Sequence, residues 1–338
     1  MNLKHIFIKV IVLKIIKCGG KVLSNINFRK ELYKEIKNSD EKIVLVVSAF
    51  SNSPYSTSTL KSLICNNHNY EMEQQIITLG EIISSIVICN EMLNEMIDVS
   101  YICKENIGIY VKTSDKMDYI ERLDNSFIKE KIDKHKVVIV PGFIAYNQEN
   151  KLVSLNKNGS DLTALLIAKM LEVDEIYLYK DVLGLSSIDP TSKKQFKVYK
   201  KVSYSLMEQI IVHGSNIISL DAIRYAKDNN IKINLQFYLN HIHNTIIDKF
   251  SNEKVIVFQY KNNIIYIDGY TNKEHIENIL SFNKFDFDYI LPCNSFVKVV
   301  CKNNTDKIYD YLYSLFLKGE LQWYFINYKQ RKMILLLF

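Results

Sequence analysis

Hydrophobic positions along this 338-residue chain follow two regimes. Up to about residue 250, short runs that are almost wholly apolar alternate with longer stretches of helical spacing. Residues 10–16, 43–47 and 137–140 are apolar at nearly every position, as strands are when both faces of a sheet are covered. Residues 28–36, 73–96 and 204–211 instead place apolar side chains every three to four positions and predict helices. Short strands are expected at 97–102 and 107–111, and the charged stretch 118–134 reads as helical. Strands separated by helices predict an α/β fold of three layers with a mostly parallel central sheet.

From residue 251 the pattern changes. IIYIDGY, NKEHIENILSF, DYILP, FVKVVCK, TDKIYDYLYSLFLK and LQWYFIN read β-α-β-β-α-β by periodicity. VIVFQY precedes them across an Asn262-Asn263 hairpin turn, and MILLLF follows as a further strand. The expectation is two domains, a larger one over 1–250 and a smaller α+β one over 251–338.

Composition narrows the choice of function. An apolar content of 48% supplies a sizeable core, which argues against disorder. A net charge of +6 from 43 basic and 37 acidic residues is mild, and no basic run is interleaved with aromatics, so nucleic acid is not an expected partner. The apolar run 6–16 is broken by Lys9 and Lys14 and is too short for a membrane span, so no membrane partner is expected either. Six cysteines lie at scattered spacings without a C-x-x-C pair, which suits a reducing cytoplasm and neither a zinc site nor a disulfide framework.

Candidate chemistry gathers between residues 137 and 190. A buried strand leads to Gly159, Ser160 and Asp161, then an apolar helix, a second strand, and a loop bearing Asp181 and Asp189. Ser160 is expected to cap the helix, whose free amides together with Lys157 would suit an anion. Loops after strands are where α/β folds bind ligands, although Asp before Pro or Gly also serves plain turns. Earlier in the chain a strand runs into Lys17-Cys18-Gly19-Gly20. Glycines let a backbone approach phosphate oxygens and the lysine adds positive charge, but the same residues make ordinary turns.

Taken in order, IIKCGGKVLSN, VLVVSAF, LGEIISS, PGFIA, GSDLTALLIAKML, DEIYLYKDVLGL, IDP and SYSLMEQIIVHGSNIISLDAI resemble the aspartate kinases of the amino acid kinase family. The resemblance covers roughly residues 12–247. It implies transfer of the γ-phosphoryl of ATP, with Mg²⁺, to the side-chain carboxylate of L-aspartate, the first step towards lysine, threonine and methionine. It implies catalytic roles for Lys17 and Asp161, and a nucleotide site of Lys17, Gly19, Gly20, Ser48, Lys180, Asp181 and Asp189. Glu81, Lys157, Gly159 and Ser160 would hold the substrate, Glu81 by pairing with its ammonium. An ACT-type regulatory fold and a homodimer formed through it are implied for the tail. The chain departs from the family at Pro54, Lys157, Thr191 and Asn216. A subunit that keeps the fold without the catalysis, or a kinase with another small-molecule acceptor, therefore stays open. His213 reads as a surface or packing residue.

Overall fold

Runs of β-branched residues build the sheet at the centre of the first unit. The computed structural model describes residues 12–65, 69–114, 117–155, 159–192, 194–238 and 244–321. Among them the sheet has eight strands, in the order Lys201–Ser203, Asn244–Asp248, Lys232–Phe237, Glu175–Lys180, Leu13–Cys18, Lys42–Val47, Val137–Pro141 and Val99–Tyr101. Neighbours run parallel, except Lys232–Phe237 against Asn244–Asp248. Val44, Val46, Val138 and Val140 are fully buried alongside Leu45, Val47, Val137 and Ile139, so both faces of the central strands are covered.

Side chains alternate across a strand, and this decides what covers each face. Ile16, Cys18, Leu45 and Val47 pack with Phe28, Leu32 and Ile36 of the helix Ile26–Asn38 and with Ile88 and Met92 of the helix Tyr70–Asn94. The helix Gly159–Met170 packs against the strands Leu13–Cys18, Lys42–Val47 and Glu175–Lys180. It is buried almost all round, from Ala164 to Ala168 without exposure, which is why its sequence shows so little polar face. The expected three-layer α/β fold is present.

One expectation fails locally. Residues 118–134 are not one helix: Met117–Leu123 is a strand, paired antiparallel with Ile109–Ser114, and only Ser126–Lys134 is helical. This strand lies at the edge of a small four-stranded sheet with Ile144–Tyr146 and Leu152–Ser154. An edge strand faces water along one side, so charged residues are at home there and disguise its period.

The second unit is built on a four-stranded antiparallel sheet in the order Val257–Lys261, Ile264–Asp268, Phe296–Cys301, Phe287–Pro292. Two helices, Lys273–Phe282 and Thr305–Leu317, complete a β-α-β-β-α run from Ile264 onwards. The hairpin turn at Asn262 takes the left-handed φ of +56° that asparagine tolerates well. LQWYFIN beyond Leu321 and the terminal MILLLF lie outside the described residues. The unit also includes Ser186–Tyr199 and Leu206–Asn216, so its boundary is not a single point near residue 250.

Candidate active site

Lys17 and Ile15 share one face of their strand, opposite Ile16 and Cys18. That places the lysine on the side covered by Gly159–Met170, whose first turn carries Asp161. Lys17 Nζ lies 2.8 Å from Asp161 Oδ1. A second ammonium comes from the end of the next strand: Lys180 Nζ donates to Asp161 Oδ1 at 2.9 Å and to Oδ2 at 2.6 Å. Asp161 has no solvent exposure and Lys17 only 5%.

Two cations therefore share one buried anion. Burial pushes the Asp161 carboxyl up, but the charges and hydrogen bonds of Lys17 and Lys180 outweigh it and hold the group below the usual carboxylate range. Burial brings the Lys180 ammonium down to about 8, against the pull of Asp161 and with the help of the Lys17 charge. The trio carries a surplus positive charge in a poorly solvated place, which suits an anionic ligand.

Glu81 is the other buried acid. It projects from the helix Tyr70–Asn94 and is 4% exposed. Its Oε1 accepts from the Ala49 amide at 3.3 Å, while Oε2 is buried without a hydrogen-bond partner among the described residues. Burial raises the carboxyl to about 7, with the Ala49 amide and the Lys17 charge pulling the other way. A buried acceptor without a donor is rare and costly, and a ligand that brings a donor would satisfy it.

The loops around these groups are fixed by close backbone contacts. Ser84 Oγ accepts from the Phe50 amide at 3.1 Å and donates to the Gly80 carbonyl at 2.8 Å, so one helix turn secures the Ser48–Phe50 loop. A Cβ on Gly20 would sit 2.1 Å from the Ala49 carbonyl oxygen, so only glycine lets the two loops meet. A Cβ on Gly142 would sit 2.7 Å from that of Ser160, and Thr163 Oγ1 accepts from the Phe143 amide at 3.0 Å.

The remaining candidates divide. Ser48 is half-buried at the end of its strand, and its amide donates to the Cys18 carbonyl at 3.2 Å. The Gly19 amide points to the Tyr179 carbonyl at 3.4 Å. Gly159 and Ser160 are buried in the first turn of their helix. Ser160 is thus inside the helix and not its cap: the helix already includes Gly159, two residues before the start that a Ser160 cap would give. Asp181 is exposed and pairs with Lys21 at 2.8 Å. Asp189 belongs to the second unit, where Oδ1 accepts from the Thr191 amide at 2.9 Å and its hydroxyl at 2.8 Å, the turn chemistry of an Asp-Pro step. Lys157 lies outside the described residues. Pro54 and Asn216 are exposed.

His213 is a packing residue of the second unit. It stacks on Tyr266 at 4.1 Å and meets the buried Asp268 carboxylate through Nδ1 at 2.7 Å. Sequence reasoning missed Lys21 and Ser84. Lys21 is visible in the sequence just after Gly19-Gly20, and Ser84 one helical turn after Gly80, but neither position identifies a partner.

The sequence profile of the amino acid kinase family matches residues 12–235, about two thirds of the chain. This protein belongs to the amino acid kinase family. The chain is 23% identical over 234 residues to an aspartokinase of Helicobacter pylori, covering 68% of this chain and 58% of that one. It is 24% identical over 200 residues to aspartokinase 2 of Bacillus subtilis, covering 59% and 49%. It thus spans about half the length of the curated relatives it matches. Its fold resembles that of Escherichia coli aspartokinase III, solved with aspartate and ADP, with a TM-score of 0.62, 14% identity, and coverage of 87% of this chain and 79% of the other. The Clostridium acetobutylicum aspartate kinase gives a TM-score of 0.59 at 18% identity, covering 88% and 81%. In this amino acid kinase, Lys17, Asp161, Lys180 and Glu81 all fall within the matched region.

Proposed function

We propose that this amino acid kinase transfers the γ-phosphoryl group of ATP to the side-chain carboxylate of L-aspartate, giving 4-phospho-L-aspartate and ADP. The observation that carries this reading is the pair of ammonium groups on Asp161. Phosphoryl transfer is governed mainly by positioning and by neutralising charge on the moving group. Lys17 and Lys180 stand at the carboxyl ends of adjacent strands, where their charges would meet phosphate oxygens. Asp161 keeps both lysines together and, held by them below the usual carboxylate range, is unsuited to act as a base. An ionised carboxylate acceptor needs none: its oxygen forms the new bond to phosphorus as the bond to the bridging oxygen of ADP breaks, with no proton to remove.

Glu81 supports an amino acid as the acceptor. A substrate ammonium would give Oε2 the partner it lacks and would favour the ionised form of the acid. The described residues do not fit a magnesium ion held by the protein. Among them no three His, Cys, Asp or Glu side chains gather, and both oxygens of Asp161 face lysines. Mg²⁺ would instead be carried by the phosphates of ATP. The names of the relatives support L-aspartate as the acceptor. On the resemblance alone we propose a place at the head of lysine, threonine and methionine synthesis, in the cytoplasm and as a homodimer.

The test is ADP formation with L-aspartate as acceptor, run beside glutamate, acetylglutamate, carbamate and UMP. Aspartate-dependent ADP release, with the acyl phosphate trapped by hydroxylamine as a hydroxamate, is the expected result. Release with another acceptor would keep the phosphotransferase and reject the substrate. No release with any acceptor would favour a subunit without catalysis.

A further inference from the structure

One arginine, which the motifs do not include, reaches three parts of the candidate site at once. Arg29 grips Glu91 with two nitrogens, Nε to Oε2 at 2.8 Å and Nη2 to Oε1 at 2.9 Å. Its remaining nitrogen, Nη1, donates to the Leu23 carbonyl at 2.5 Å, and Cζ lies over the Phe50 ring, 5.4 Å from its centre. Tyr33, one helical turn on, donates its hydroxyl to Glu91 Oε2 at 2.7 Å. Burial pushes the Glu91 carboxyl up, but the hydrogen bonds of Arg29 and Tyr33 and the Arg29 charge hold it below the usual carboxylate range.

Each contact lands on an element that carries part of the site. Leu23 ends the short helix Gly20–Leu23, which follows Lys17 and Gly19 directly. A carbonyl at a helix C-terminus lacks an internal partner, and Arg29 supplies one. Phe50 follows Ser48 and Ala49, whose amide donates to Glu81. Glu91 stands on the helix Tyr70–Asn94, which also carries Glu81. The Ser51 amide donates to the Gly20 carbonyl at 3.2 Å, so the glycine turn and the serine loop form one piece, and Arg29 ties it to two helices. The helix Ile26–Asn38 is seated independently by Phe28, Leu32 and Ile36, all buried, so its docking does not need the ion pair.

We propose that Arg29 is a positioning residue: through Leu23 and Phe50 it holds the Gly19-Gly20 turn and the Ser48–Phe50 loop where the phosphates of a bound nucleotide need them. This rests on the reading of the chain as an ATP-dependent kinase. Arg29 itself touches no reacting atom. Its effect is indirect, and a displacement of about 1 Å in such a loop is enough to cost about a hundredfold in rate. The planar fork is essential to the task, because three nitrogens serve two carboxylate oxygens and a carbonyl together. A lysine would bring one point charge to one of them.

ADP affinity by calorimetry, which needs no acceptor, is the test, read beside melting temperature and aspartate-dependent turnover. Arg29→Lys should weaken ADP binding about tenfold or more and lower kcat, with KM for aspartate changed by no more than about twofold. Arg29→Met with Glu91→Leu removes both charges together and should melt like the wild type, since apolar replacement of such a pair is often neutral, yet show the same loss of ADP affinity. In Arg29→Ala, methylguanidinium at about 20 mM should restore part of the affinity by filling the vacated fork, and should do nothing for the double variant. Wild-type ADP affinity in Arg29→Lys or in the double variant overturns the proposal. So does a loss that follows melting temperature and ignores methylguanidinium. A wild type that binds ADP but phosphorylates no acceptor overturns the kinase reading alone, because the ADP measurements still decide the role of Arg29.

Discussion

Lys180 reaches both carboxylate oxygens of Asp161, at 2.9 and 2.6 Å, although Lys17 already occupies one of them. Neither lysine has an anion to itself. The arrangement resists collapse into a neutral ion pair, and the unmatched charge is left for a ligand. Its stability and chemistry can be separated by changing one member at a time.

Asp161→Asn leaves two ammonium groups close together with no counter-charge. It is expected to destabilise the fold by about 3–5 kcal/mol, the range for breaking a buried charge pair. Millimolar phosphate or sulfate should recover part of the loss. Lys17→Ala leaves Lys180 and Asp161 as a balanced pair, so turnover should fall far more than stability does. Thermal melts with and without phosphate, beside kcat for both variants, check this contrast.

Lys180 gives the reaction an alkaline limb. With its ammonium brought down to about 8, the free enzyme loses one of its two charges as pH rises through that value. kcat/KM should therefore decline above about pH 8, well below the range where an ordinary lysine titrates. Lys180→Arg keeps the charge at all these pH values and should move the decline upward. A wild-type profile flat to pH 10 would remove Lys180 from the phosphate site.

Glu81 sets substrate affinity against stability. The unfolded chain releases this proton near 4.5 and the folded chain near 7, so Glu81 costs stability progressively as pH rises between those values, and the cost is constant above them. Glu81→Gln keeps an oxygen for the Ala49 amide. At pH 8 it should be the more stable protein by up to about 3 kcal/mol, with the gain vanishing below pH 4.5. KM for aspartate should rise at the same time, while KM for ATP stays put. Denaturant melts at the two pH values and steady-state kinetics give both readings.

The sequence shows the central strands clearly, because runs such as 43–47 are too apolar for anything but the middle of a covered sheet. The strand Met117–Leu123 was hidden, since charged residues at a sheet edge imitate the composition of a surface helix. In Tyr70–Asn94 periodicity revealed a helix but not which way it faces. Glu81 and Ser84 turn inward beside Ile88 and Met92 because they hold the Ala49 and Phe50 amides, a need that exists only once the loop is beside them. At the site, Lys17 and Asp161 stood out by motif. The resemblance already put Lys180 in one nucleotide site with Lys17; that its ammonium shares Asp161 depends on the neighbouring strands Leu13–Cys18 and Glu175–Lys180, which no local pattern reveals.

Each unit is made of three separate stretches of chain, so the polypeptide passes between them five times, once within the helix Tyr204–His213. A stop codon after Ser251 would keep all three stretches of the first unit, but with two stretches of the second still attached. It would strip Ile188 of the sheet it packs on and Tyr199 of the Ile256 carbonyl it binds, leaving both behind as bare remnants. The second unit is not a detachable cassette. No single cut in the gene can separate it cleanly from the first unit, because the two share the chain in alternating stretches.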